Sequence, residues 1–271
     1  MTEANQLAII GGGKIGEAML SGLLRRSYQP ERIRMVERSA ERGKELAERY
    51  GVLAVSVAEA VRDCRTLLVA VKPQDIDALL AELAERIGPE HLVVSVAAGI
   101  PTARIERALP SGPVVVRCMP NTPALVDEAM TAICAGSRAD EAHLRQAEQL
   151  LSAVGKVVRV PESQLDAVTA LSGSGPAYFF FLVEAMIDAG ILLGLPRALA
   201  EQLIVQTLLG SAVMLRDSGE HPVRLREAVT SPAGTTISAI RELERHGVRA
   251  AFLSAIEAAS LRSAELGRSA E

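Results

Sequence analysis

Four apolar residues, Leu7-Ala8-Ile9-Ile10, run directly into glycines at 11, 13 and 16, in the spacing G-x-G-x-x-G. An amphipathic stretch follows, in which Ile15, Met19 and Leu23 recur every four positions. Strand, tight glycine turn and helix, in that order, is the context a dinucleotide-binding turn demands. Gly11 permits the turn, Gly13 lets the backbone approach a pyrophosphate, and Gly16 lets helix and strand pack closely. Gly12, Lys14 and Ile15 complete the loop, whose N–H groups face the phosphates at the positive end of the helix. The motif defines a cofactor class and no reaction.

Residues 32–37 read as a second strand closing on Glu37, 21 positions after Gly16. A carboxylate at that distance suits the adenosine ribose of NADH, whereas Arg38 and Ser39 suit the 2′-phosphate of NADPH. The residues leave both open. A helix over 40–50, a short strand over 52–55 and a helix over 57–62 lead to the apolar strand 66–71. Apolar strands alternating with helices indicate parallel strands buried on both faces. Lys72-Pro73 ends the fourth strand, which places Lys72 near a ligand bound beyond the strand ends. Helix 74–87, strand 92–96 and the turn Ala97-Ala98-Gly99 follow. Strand 114–116 runs into Arg117–Pro123, whose two prolines impose a rigid loop. Asn121 in that loop either binds a ligand or braces its own turn. A strand-like 130–134, a helix over 139–154 and a strand over 156–160 complete an α/β half near Pro161.

Beyond it the pattern is helical throughout: 163–170, 176–193, 196–216, about 222–229, and a long stretch from 236 broken near Gly247. The expected architecture is therefore α/β, a doubly wound parallel sheet of Rossmann type over residues 1–161, followed by an all-α domain over 162–271. Helix 176–193 is apolar nearly all round, with Tyr178, Phe179, Phe180, Leu182, Val183, Met186 and Ile187. Such a helix must be buried on several sides. A small helical domain cannot supply that alone, so a dimer intertwined through this half is expected. Ala177–Leu195 is the one segment read as approaching membrane-span length. Glu184 and Asp188 interrupt it, each costing roughly 2.5–3.5 kcal/mol at a bilayer centre, so the helix is expected in a protein core.

With 29 Lys and Arg against 33 Asp and Glu, and no Trp, the chain offers neither a basic footprint nor stacking platforms for nucleic acid. Cys64, Cys118 and Cys134 fit neither a disulfide framework nor a zinc site, and the four histidines do not fall at metal-ligand spacing. No metal and a reducing, cytoplasmic setting are expected. The polar start of the chain lacks the basic n-region of a signal peptide.

Two small-residue turns remain, Leu171–Tyr178 and Ser231–Thr236, each read as opening a helix. Exposed N–H groups there suit a carboxylate, and helix capping by Ser and Thr is the alternative. Taken together with GGGKIG (11–16), AVKP (70–73), SVAAG (95–99) and RCMPNTP (117–123), the turns LSGSGPAY (171–178) and SPAGTT (231–236) make the whole chain resemble a pyrroline-5-carboxylate reductase. The resemblance implies hydride transfer from NADPH, with NADH as the alternative, to the C=N carbon of 1-pyrroline-5-carboxylate, giving L-proline. It implies a helical domain exchanged across a homodimer, and often a decamer of five dimers. Substrate contacts carry over to Ser231, Gly234, Thr235 and Thr236, with the Thr236 hydroxyl near the ring nitrogen. Cofactor contacts carry over to Gly12–Ile15, Ala70–Lys72 and Ala97–Gly99. In place of an asparagine that helps grip the 2′-phosphate in many members, this chain has Ser56-Val57-Ala58.

A protonated imine is already electrophilic, so the reaction needs orientation more than a strong acid. Thr236 is the first candidate to hold the nitrogen, with solvent completing protonation; Lys72 is the second candidate acid and Tyr178 the third. The neighbouring alternatives are another imine reductase, a β-hydroxyacid dehydrogenase or a non-catalytic NADP sensor. Residues 162–271 contain no lysine, and the dehydrogenases need a lysine acid in that half.

Overall fold

The computed structural model describes residues 6–268. The first half alternates strand and helix: β1 (Leu7–Ile10), α1 (Lys14–Arg25), β2 (Ile33–Val36), α2 (Ala40–Tyr50), β3 (Leu53–Ala54), α3 (Val57–Asp63) and β4 (Thr66–Val69). It continues with α4 (Ile76–Ala84), β5 (Leu92–Ser95), α5 (Thr102–Ala108), β6 (Val114–Met119), β7 (Ala129–Ala135), α6 (Glu141–Leu151) and β8 (Gly155–Arg159). The eight strands form one sheet in the order β3-β2-β1-β4-β5-β6-β7-β8. Pairing is parallel from β3 through β6, as the apolar runs require.

The last two strands depart from an all-parallel sheet, because β7 runs antiparallel to β6. The cause is the connection: only a 3-10 turn, Thr122–Val126, links the two, and a parallel return needs a helical crossover. β8 then follows α6 and pairs parallel with β7. Both faces of the sheet are packed. Leu7, Ile9, Met35 and Leu68 enter one core cluster, while their neighbours Ala8, Ile10, Val36, Leu67 and Val69 enter the other. Alternate residues of one strand thus feed opposite cores.

By their internal contacts the residues fall into two compact units, one running to Ser174 and resuming at Ala259, the other Gly175–Ala258. The division expected from the sequence, after Pro161, falls two residues past the end of β8. The first unit continues through α7 (Leu165–Val168) and a π-helical turn, Thr169–Gly173. Leu165 is buried against Ala132 and Cys134 of β7, which ties this stretch to the sheet.

The second unit is helical: α8 (Gly175–Leu192), α9 (Arg197–Ser218), α10 (Pro222–Ala228), α11 (Thr235–Arg245) and the start of α12 (Val248–Arg268). α8 and α9 approach closely where Gly190 faces Ala200; a Cβ on Gly190 would lie 2.8 Å from that of Ala200. Within one chain α8 is not the buried helix its composition suggests. Only Gly175 is buried along it, and Phe181 and Leu192 are 70% and 87% exposed. α9 is bare in the same way, with only Ala200 buried. Two helical stretches, Glu162–Leu192 and Arg197–Ser218, are long and apolar enough to cross a bilayer. The sequence reading had singled out one; α9 escaped it because its polar residues are spread evenly.

Candidate active site

The parallel order brings the carboxyl ends of β1, β4 and β5 to one edge of the sheet, and the chain order reverses between β1 and β4. Ligands of open α/β sheets bind at such a reversal. Gly11 lies in this crevice with φ of +106°, donates its N–H to the Val36 carbonyl at 2.8 Å, and would place a Cβ 2.6 Å from the Ala70 oxygen. A Cβ on Gly16 would overlap the Gly11 carbonyl. These two glycines are therefore required by the protein's own packing. Gly13 is different: its φ is −72°, it is exposed, and a Cβ there would meet nothing within 4 Å. Nothing in the chain's own packing requires a bare backbone at Gly13. Gly13 is also the N-cap of α1 and no side chain caps that end, leaving the first N–H groups of Lys14, Ile15 and Gly16 to face an anion. The cradle fits a dinucleotide pyrophosphate.

Glu37, just past β2, is locked onto this loop. Its Oε2 accepts the Gly12 N–H at 2.6 Å and its Oε1 accepts the Ser39 N–H at 3.1 Å. Ser39 caps α2, its hydroxyl accepting from the Arg42 N–H. Arg38 is exposed and paired with Asp75 at 2.8 Å. Arg42, which sequence reasoning passed over, braces the loop from the other side. Its guanidinium donates to the Gly12 carbonyl at 3.2 Å and pairs with Glu17 and Glu45. Burial pushes the Glu17 carboxyl up, but hydrogen bonds from Tyr50 and Arg42 and the charges of Arg42 and Arg49 outweigh it and hold it below its usual range. The signal for Arg42 was faint, one arginine among several on a charged helix.

Along the same edge, Ala70 and Val71 are half-buried and Lys72 is exposed, leading into the 3-10 turn Pro73–Asp75. The Ala97–Gly99 turn is tied down by the Ala97 N–H to Ser95 Oγ and uses φ of +72° at Gly99. The end of α12 packs on it, the Gly267 nitrogen lying 3.7 Å from a Cβ built on Gly99. Ser263 of α12 is held there by its hydroxyl, which donates to Asp166 at 2.7 Å. Asn121, expected at a ligand or as a brace of its own loop, makes bracing hydrogen bonds in this structure. Its amide nitrogen donates to the Ser172 carbonyl at 3.2 Å and its oxygen accepts the Met130 N–H at 2.9 Å. Below it Arg117, buried on β6, donates to Glu162 at 3.0 Å. The same carboxylate accepts the N–H and hydroxyl of Thr102 at 2.8 and 2.6 Å.

The two small-residue motifs turn out unlike one another. Leu171–Tyr178 begins in the π-helical turn Thr169–Gly173, where the Ser174 N–H returns to the Thr169 carbonyl at 2.8 Å, and runs into α8, which opens at Gly175. A glycine at 173 lets this turn press on Met119, whose Cε would lie 2.5 Å from an added Cβ. Ser231–Thr236 also opens a helix. Gly234 is the N-cap of α11, with no side chain capping it, and Thr235 and Thr236 are its first residues. Ala233 holds φ of +55° to make the turn. Capping is thus excluded as the task of these hydroxyls, and Ser231, Gly234, Thr235 and Thr236 stand at an uncapped helix start within the second unit.

The glycine cradle, the acid after β2 and the doubly wound sheet define an NAD(P)H-dependent oxidoreductase. The chain is 47% identical to a pyrroline-5-carboxylate reductase of Corynebacterium melassecola over 97% of this chain and 98% of that one. It belongs to the pyrroline-5-carboxylate reductase family. A solved pyrroline-5-carboxylate reductase from Coxiella burnetii superposes with a TM-score of 0.92 at 37% identity, covering 97% of this chain and 98% of that one. A Plasmodium falciparum pyrroline carboxylate reductase solved with NADP bound gives 0.88 at 27% identity, over 98% and 100%. Residues 162–266 match the family described as pyrroline-5-carboxylate reductase dimerisation, so this part is an oligomerisation domain. Residues 6–99 match the family described as NADP oxidoreductase, coenzyme F420-dependent.

Proposed function

We propose that this protein reduces 1-pyrroline-5-carboxylate to L-proline, the last step of proline biosynthesis, in the cytoplasm. The observation that carries the reading is the pairing, in one chain of this family, of an open pyrophosphate cradle with an uncapped, hydroxyl-lined helix start. Gly11–Gly16, Glu37, Ala70–Lys72 and Ala97–Gly99 hold the dinucleotide. Bound NAD(P)H supplies the hydride. The N–H groups at the start of α11, with the hydroxyls of Ser231 and Thr235, hold the substrate carboxylate. The Thr236 hydroxyl oxygen accepts the N–H of the protonated imine and so fixes the face presented for reduction. A hydroxyl is a poor proton reservoir, and the net proton comes from solvent; Lys72 is the second candidate.

The bare faces of α8 and α9 are read as a homodimer surface, with five dimers assembling into a decamer. Contiguous apolar patches of this kind mark protein interfaces, and Glu184 and Asp188 on α8 disfavour a bilayer. The test is NADPH and NADH oxidation by the purified protein with racemic 1-pyrroline-5-carboxylate, with chromatographic identification of proline. Turnover to proline is expected. No turnover with either reductant, in protein that binds one, would overturn the assignment.

A further inference from the structure

We propose that Glu37 makes NADH the preferred dinucleotide over NADPH; the inference rests on the reductase reading above and refines its cofactor site. The carboxylate stands at the end of β2, where a dinucleotide-binding sheet receives the adenosine ribose. It is not free to swing aside, because the Gly12 and Ser39 N–H groups each hold one of its oxygens, at 2.6 and 3.1 Å. An ionised carboxylate has about four acceptor sites, so the two oxygens keep capacity for the ribose hydroxyls. Those hydroxyls are donors. A 2′-phosphate is an acceptor carrying a charge of about −1.5 to −2 at neutral pH, and it would meet Glu37 with like charge.

The nearby groups that could compensate are already engaged. Arg38 serves Asp75 at 2.8 Å. Arg42 serves Glu17, Glu45 and the Gly12 carbonyl. The Ser39 hydroxyl caps α2. Gripping a phosphate would require breaking one of these pairs and leaving its carboxylate beside a second anion. NADPH remains a substrate, at the cost of that rearrangement.

The experiment is equilibrium binding of NADH and of NADPH to the intact protein, followed by nicotinamide fluorescence, without imine substrate. The expected result is NADH bound about 10–100-fold more tightly, since specificity is the difference between the two affinities. Glu37→Gln should narrow the ratio, mainly by tightening NADPH. Raising salt should improve NADPH relative to NADH, since it screens a repulsion; a site that attracts the phosphate shows the opposite sign. Equal or tighter NADPH binding by the native protein, or a ratio indifferent to E37Q, would overturn the proposal, and the salt dependence decides it if that variant does not fold. Failure of the reductase reading would appear separately, as binding without turnover.

Discussion

Two glycines three positions apart in one loop carry opposite expectations. Gly16→Ala drives a methyl into the Gly11 carbonyl, and its cost belongs at the upper end of the roughly 1–3 kcal/mol typical of overpacking. Gly13→Ala meets open space and should cost less than about 1 kcal/mol, as an N-cap change does, yet weaken dinucleotide binding at least tenfold. Urea unfolding and fluorescence titration of both variants check the contrast. Thr236→Ala should lower kcat by about 10–100-fold, the worth of one hydrogen bond to a charged group, with Thr236→Ser restoring most of it; a rate unchanged across pH would remove Thr236 from the reaction. Glu162 gives a pH signature. Burial pushes its carboxyl up, but the Thr102 and Arg117 hydrogen bonds prevail and hold it below 4.5. A depressed folded pKa means stability fully present above the ordinary range and lost as pH falls through the folded value. Glu162→Gln should therefore cost about 2–3 kcal/mol at neutral pH, and the gap from the native protein should close as pH falls below the ordinary carboxylate range. Residues such as Asn121 show why such roles are hard to read beforehand. Its partner Ser172 is 51 positions away, and nothing local distinguishes a brace from a ligand contact.

At the scale of elements, legibility followed locality. β1, the glycine turn and α1 were readable because every requirement lies within ten consecutive residues, and the parallel strands because burial on both faces leaves unbroken apolar runs. The reversal of β7 was not, since it depends on a connection too short to cross the sheet. Nor was the π-helical turn: Leu-Ser-Gly has the composition of a loop, and the close approach of Gly173 to Met119 is not visible in the local sequence. The strands also determine the chemistry of the thiols. Cys118 and Cys134 sit buried on β6 and β7 and Cys64 just before β4, all three free. Burial pushes the Cys64 and Cys134 thiols up to about 12, and raises that of Cys118 well above its usual range. Thiolates are the reactive form, so an aromatic disulfide reagent at pH 8 should modify none of them until the sheet opens. Fast modification of one thiol in the folded protein would show a strand edge far looser than the pairing described here.

Taken whole, the molecule is two halves of contrasting sufficiency. The sheet unit buries its apolar residues against its own helices, whereas α8 presents Phe179, Phe180, Phe181 and Leu192 outward and α9 presents Leu203, Val205 and Leu209. Sedimentation equilibrium is expected to find no monomer at micromolar concentration, and replacing Phe180 and Phe181 by serine should release one. The unpartnered helices carry a thermodynamic corollary. If their core is completed only by a second copy, folding of that half is a bimolecular reaction, and each tenfold dilution removes about 1.4 kcal/mol per mole of dimer. The melting temperature then becomes a function of how much protein is present, so the lower limit on this enzyme's abundance is set by the survival of its fold as well as by demand for its product.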